Sequence, residues 1–199
     1  MIITFANHKG GVGKTSLAVL LAECAIENDL PVKLYDLDGQ KNFTNYIQLW
    51  RPDIIVDEQL PEKMTDSDAL VVIDTPPGIG AETERAIQAA ARVVIPVDTS
   101  LAALSGIQDI VGKHETANGK FVVVINKFER NLSYNQDIFK QLQDTFVTQR
   151  LRNPVPVLTL PYNNYITINL TQGRTWNSRM KQRTQEEFLP LLTAIMREE

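Results

Sequence analysis

The stretch Lys9-Gly10-Gly11-Val12-Gly13-Lys14-Thr15 separates an apolar run, Ile2–Ala6, from a segment with helical spacing, Lys14–Glu27. Glycines at such a junction let backbone amides crowd around one point. The N-terminus of the following helix adds about half a positive charge at the same place. A turn of this kind asks for a strand, a loop and a helix in that order, and it suits a phosphate group. Lys14 is then positioned to reach β- and γ-phosphates, and Thr15 to set its hydroxyl on Mg²⁺. The strict form of the pattern has a glycine at position 8, where this chain has His8; we read that histidine as a neutral loop residue.

The rest of the chain repeats the alternation. Strands are expected at Ile2–Ala6, Val32–Tyr35, Ala69–Ile73, Val93–Val97, Phe121–Ile125 and Val155–Leu158. Most are continuous apolar, β-branched runs, the pattern of strands covered on both faces. Helical spacing predicts helices at Lys14–Glu27, Glu82–Ala91, Leu101–Gly112, Ser133–Thr148 and Met180–Arg197, the last kinked or restarted at Pro190. Arg51–Ser67 is acidic, contains Pro52 and Pro61, and reads as an irregular excursion with a short strand at Ile54–Val56. The expectation is one α/β domain over residues 1–199, a mainly parallel twisted sheet with helices on both faces.

Composition narrows the function. A single cysteine, Cys24, excludes a disulfide framework within the chain and a zinc or iron–sulfur site built on several of its thiolates. It fits a reducing, cytoplasmic setting. No basic-then-apolar leader opens the sequence and no apolar run reaches the length of a membrane span. The net charge of −4 argues against a wholly basic nucleic-acid binder. The charge is uneven, however: residues 51–100 hold 4 basic and 10 acidic groups, and residues 101–199 hold 12 and 9. Between Gly173 and Arg183 stand Arg174, Arg179, Lys181 and Arg183 with no acid. Taken alone, such a cluster is a solvated helix face.

Three strand ends carry polar groups. Asp36-Leu37-Asp38-Gly39-Gln40 follows the second strand, its two carboxylates alternating in direction. Val71-Val72-Ile73-Asp74-Thr75-Pro76-Pro77-Gly78 delivers one carboxylate to the carboxyl end of a buried strand, the edge where open α/β sheets hold ligands. Mg²⁺ keeps several waters, so one carboxylate, one hydroxyl and phosphate oxygens suffice for it. Val122-Val123-Val124-Ile125-Asn126-Lys127 ends a further strand on an asparagine, which is often only a turn residue.

Lys9-Gly-Gly-Val-Gly-Lys14-Thr15 resembles the deviant Walker A motif of the ParA/MinD family of ATPases, and further motifs follow in family order to about residue 175. The resemblance implies ATP and Mg²⁺ as cofactors, with nucleotide contacts from Lys9, Gly10, Gly11, Val12, Gly13, Lys14, Thr15, Ser16, Asn126, Pro161 and Tyr162. Lys9 is implied to reach a partner's nucleotide across a homodimer closed by ATP. Asp36-Leu37-Asp38-Gly39-Gln40 resembles the family's first switch, with Gly39 where proline is usual; Asp38 is implied to orient or deprotonate the attacking water. Asp36 is implied to help hold the water and Mg²⁺ shell. Asp74 resembles the Walker B carboxylate, with Thr15 beside it on the metal. Pro76, Pro77 and Gly78 resemble the second switch. Asn126 resembles the residue that hydrogen-bonds adenine, and Pro161-Tyr162 the loop flanking the base. Arg174, Arg179, Lys181 and Arg183 are implied to bind DNA without sequence preference.

The family context gives an expectation of slow ATP hydrolysis, stimulated by a ParB-like or adaptor protein, that partitions or positions DNA or another cargo on the nucleoid. The alternatives are separable. Cys24 alone argues against a nitrogenase-type cluster. The tail Phe188–Glu199 ends Arg-Glu-Glu and lacks the cationic face of a MinD-like membrane helix, so no membrane partner is expected. Dethiobiotin-synthetase-like enzymes resemble a loop pattern without the early lysine. With the motif starting near residue 9, no preceding helix-turn-helix is expected.

Overall fold

The computed structural model describes residues 1–64, 68–100, 102–113, 120–145, 155–161 and 193–196. Seven strands are β1 (Ile2–Phe5), β2 (Val32–Asp36), β3 (Val56–Asp57), β4 (Leu70–Asp74), β5 (Arg92–Val97), β6 (Phe121–Phe128) and β7 (Val157–Pro161). The helices among the described residues include α1 (Lys14–Glu27), α2 (Asn42–Trp50), α3 (Ala81–Ala89), α4 (Ala102–Lys113) and α5 (Ser133–Gln143). The strands form one sheet in the order β3-β2-β4-β1-β5-β6-β7, and every pairing is parallel.

The apolar runs are continuous because both sheet faces are covered. Along β1, Ile2 enters one core, and Ile3 and Phe5 enter the other. On β4, Val71 and Ile73 share the Ile2 side, whereas Leu70 and Val72 lie with Ile3. One core packs α1 and α2 against the sheet through Leu17, Leu20, Leu21, Phe43 and Ile47; the other packs α3, α4 and α5 through Ala86, Ile87, Ile107, Ile110, Ile138 and Leu142. α1 is buried around most of its circumference from Leu17 to Ala22, as expected of a helix apolar on nearly all sides. It lies against the central strands and fixes the loop before it.

Several boundaries differ from the sequence expectation. The second expected helix, Glu82–Ala91, stops at Ala89, because Ala90 turns extended (φ −68°, ψ 139°) to feed β5. β6 runs on to Phe128, past the expected end at Ile125, with a register shift against β7 between those residues. α5 is described as Ser133–Gln143, with residues 146–148 of its expected span outside the described residues, and the short edge strand is Val56–Asp57 instead of Ile54–Val56. α2 is not predicted by the sequence at all. Of Met180–Arg197, residues 193–196 are described and are helical, with Ile195 buried in the α1 core. Among the described residues, no helix is long and apolar enough to cross a membrane.

Candidate functional site at the carboxyl edge of the sheet

The central strand β1 ends at Phe5 and the chain passes through Asn7 into the glycine loop. Gly11 (φ 75°) and Gly13 (φ 105°) take left-handed backbone conformations that side chains resist. Gly13 is the N-cap of α1 and no side chain caps it; its carbonyl accepts the Leu17 N–H at 3.0 Å to start the helix. The first-turn amides of α1 are thus left for an anion. Lys14 folds back over the loop, donating from Nζ to the Lys9 carbonyl at 3.2 Å, and is only 6% exposed. Burial draws its pKa below the usual lysine range, against the attraction of Asp74 and Asp38.

β4 sits beside β1 in parallel, with Phe5 opposite Asp74, so strand register alone carries the Asp74 carboxylate to the loop. Thr15 Oγ1 donates to Asp74 Oδ2 at 2.6 Å. The other oxygen, Oδ1, is buried with no hydrogen-bond partner among the described residues. Burial pushes the Asp74 carboxyl up to about 7; the Thr15 hydroxyl and Lys14 oppose the rise, and the charges of Asp36 and Asp38 add to it. A hydroxyl and an under-satisfied carboxylate under a glycine cradle fit a hydrated Mg²⁺ bound together with phosphate oxygens. Ser16 is half-buried in the first turn of α1.

The two carboxylates after β2 part company. Asp36 is fully buried and both of its oxygens are engaged: Oδ1 accepts the Asp38 N–H at 3.1 Å, and Oδ2 accepts the Thr44 N–H and hydroxyl, each at 2.9 Å. It therefore caps α2 from the end of β2, and its charge acts on Asp74. Asp38 is partly exposed; its Oδ1 accepts the Gln40 N–H at 3.0 Å and its carbonyl accepts the Lys41 N–H at 2.9 Å. Its charge acts on both Lys14 and Asp74.

Lys9 is held within its own chain. Its ammonium pairs with Asp98, which follows β5, and lies 3.5 Å from Ser100 Oγ. Ser100 binds the same carboxylate through its hydroxyl at 2.6 Å. Burial pushes the Asp98 pKa up, but the hydrogen bonds from Lys9 and Ser100 outweigh it and hold the carboxyl below its usual range. His8 Nε2 lies 2.9 Å from Asp109 of α4, so both residues leading into the loop face carboxylates of the β5–α4 segment.

Asn7, which no sequence motif marks, joins the pieces. It is 4% exposed; Nδ2 donates to the Pro96 carbonyl at 2.6 Å, Oδ1 accepts the Lys9 N–H at 3.0 Å, and its carbonyl accepts the Gly78 N–H at 3.3 Å. Gly78 takes φ 94°, and the Thr75 hydroxyl donates to the Phe5 carbonyl at 2.8 Å. The Pro76-Pro77-Gly78 turn is thereby held beside Gly10. Asn126, expected as a base contact, is turned to the loop, donating from Nδ2 to the Val12 carbonyl at 3.0 Å. Pro161 ends β7 across from Phe128. Tyr162, Arg174, Arg179, Lys181 and Arg183 lie outside the described residues.

Known proteins carry the same plan. The chain is similar to the chromosome-partitioning ATPase Soj of Thermus thermophilus, 28% identical over 151 residues, or 57% of this chain and 61% of that protein. It spans about three fifths of the length of the curated Soj proteins it matches. Its fold is similar to that of Cyanothece McdA in an ATP complex (TM-score 0.69, 15% identity, 98% of this chain and 95% of that one). It also matches the fold of a putative plasmid partition protein from Borrelia burgdorferi bound to AMPPNP (TM-score 0.66, 16% identity, 98% and 99% covered). The sequence profile of the CobQ/CobB/MinD/ParA nucleotide binding domain matches residues 3–175, from β1 through the glycine loop and both carboxylate-bearing strand ends, and the chain belongs to that family.

Proposed function

We propose that this chain is a ParA-type ATPase that binds Mg·ATP at the glycine loop, closes into a symmetric dimer on ATP, and partitions or positions DNA or another cargo. The observation that carries the reading is the bond from Thr15 to the buried Asp74 at 2.6 Å, beneath the loop at the carboxyl edge, with the other carboxylate oxygen unpartnered among the described residues. The ATP-bound relative and the AMPPNP-bound relative of the same fold support the choice of nucleotide.

The residues divide the work. The loop amides and the α1 N-terminus receive the phosphates, and Lys14 Nζ leaves the Lys9 carbonyl for the β- and γ-oxygens. Thr15 and Asp74 hold the Mg²⁺ site. When bound, the metal neutralises charge on the phosphate oxygens as the γ-phosphoryl group transfers. Asp38 aligns the attacking water and accepts its proton as the water oxygen bonds to γ-phosphorus and the bond to the β–γ bridging oxygen breaks. Lys9 exchanges Asp98 for the partner's nucleotide, adding a positive charge in trans. Pro76-Pro77-Gly78, tied to Asn7, follows the γ-phosphate, and its release after hydrolysis opens the dimer. A ParB-like or adaptor protein sets the pace of turnover in the cytoplasm. Arg174, Arg179, Lys181 and Arg183 supply phosphate contacts to nonspecific duplex from the dimer.

Sedimentation with ATP, ADP and a non-hydrolysable analogue, with and without duplex, tests the reading. ATP and the analogue are expected to give dimers that pellet with DNA; ADP is not. Four cations per subunit in a dimer meet about eight phosphates, so the slope of log affinity on log salt approaches roughly −7. Lys14→Ala is expected to weaken ATP about 100-fold by removing the charged hydrogen bonds to phosphate. A monomer at saturating Mg·ATP, or Lys14→Ala with wild-type affinity, overturns the proposal.

A further inference from the structure

Asn126 stands where β6 breaks step with β7, and the next residue, Lys127, takes φ 58°. The residue is 8% exposed and its carboxamide is engaged at both ends: Oδ1 accepts the Lys127 N–H at 3.0 Å, and Nδ2 donates to the Val12 carbonyl at 3.0 Å. The second bond spans 114 residues, so β6 grips the crest of the glycine loop from outside.

We infer that Asn126 is a positioning residue of the phosphate loop, acting on the phosphates through the Val12–Gly13 peptide; the inference rests on the nucleotide reading above. A trans peptide is planar, and its C=O and N–H point in opposite directions. Holding the Val12 carbonyl toward β6 turns the Gly13 N–H the other way, to the side where the α1 amides begin. Gly13 takes part in the grip as well as the turn. A Cβ built on it would overlap the Asn126 amide nitrogen, so the carboxamide occupies the space that any other residue at position 13 would fill. The same glycine starts α1 through the Leu17 bond. Asn126 therefore sets both the direction of one loop amide and the residue at which the helix begins, before any ligand arrives. A nest formed in advance binds without the ordering cost a loose loop would carry.

This role differs from base reading in a measurable way. Asn126→Ala leaves the Val12 carbonyl unheld and is expected to weaken Mg·ATP about tenfold, the loss of a buried hydrogen bond, while the preference for ATP over GTP stays at the wild-type ratio. Asn126→Asp is the second variant. It keeps an acceptor for the Lys127 N–H but has no hydrogen to give Val12, and the same pattern is expected from it. A purely structural role would lower the unfolding midpoint and leave the affinity of the folded protein unchanged, which would overturn the inference. So would a collapse of the ATP-to-GTP ratio, the mark of a base contact. Wild-type protein that binds no Mg·ATP in the same titration removes the nucleotide reading and this inference with it; wild-type binding with an unmoved variant removes the inference alone.

Discussion

In nucleotide-free, metal-free buffer, Asp74→Asn is expected to gain stability relative to wild type as pH rises, by about 2–3 kcal/mol between pH 5 and pH 8. The cause is the Asp74 carboxyl, buried and raised from 3.8 to about 7. Between those values the folded state holds a proton that the unfolded state has released. Wild-type stability is therefore fully present below about pH 4, falls as pH rises toward 7, and levels off above it. The full displacement corresponds to about 4 kcal/mol. Asparagine cannot ionise, so its variant lacks this slope, whatever fixed difference its own amide introduces. Urea unfolding of both proteins at three pH values reads the effect, and parallel pH profiles would contradict it. The function runs the other way. Metal coordination needs the ionised carboxylate, so wild-type Mg·ATP affinity is expected to rise through pH 7, and the asparagine variant to bind weakly and without that dependence. The burial that raises the Asp74 carboxyl is then the same property that makes its ionised form receptive to a cation.

Lys9→Ala is expected to bind ATP normally yet to sediment as a monomer at saturating Mg·ATP, a complete loss of the dimer. Lys9 is 49% exposed at its side chain and, among the described residues, its ammonium meets only Asp98 and Ser100. Nothing in the loop's own geometry depends on its ammonium, because Lys14 uses the Lys9 carbonyl. Asp98→Ala should shift the balance in the opposite sense. With Asp98 40% exposed, the pair is a surface ion pair worth at most about 1 kcal/mol. Its removal is expected to lower the ATP concentration for half-maximal dimer by up to about fivefold. Dimers of wild-type stability in Lys9→Ala, or weaker dimers in Asp98→Ala, would show that Lys9 acts where it now sits.

What the sequence made legible were the features written in neighbouring residues. Lys14–Glu27 is found with both ends as expected, because a glycine turn precedes it and apolar residues follow without a break. The strands are found within a few residues, because burial on both faces leaves long apolar runs. α2 escaped because its start is stabilised from afar. Its first residue follows Lys41 in a left-handed conformation, and its cap is Asp36, on another element eight residues before the Thr44 amide that it holds. Phe43, Tyr46 and Ile47 did carry helical spacing, but no local cap drew attention to it. The site divides along the same line. The loop and Asp74 could be placed by motif and strand end. The grip of Asn126 on Val12, the hold of Asp98 on Lys9 and the bond of Asn7 to Pro96 depend on pairings 89 to 114 residues apart, which no local pattern encodes.

Asn7 gives the molecule a mechanical joint one side chain thick. Its anchors lie on the glycine loop, on β5 to one side of the central strand and on the turn beyond β4 to the other. A push that a ligand exerts on the loop reaches β5 through this carboxamide and the turn beyond β4 through the Asn7 carbonyl, alongside the Thr15–Asp74 and Asn126–Val12 links. Swapping nitrogen for oxygen in that one group would keep the loop's shape near Lys9 and uncouple it from β5, dividing a single moving part into two.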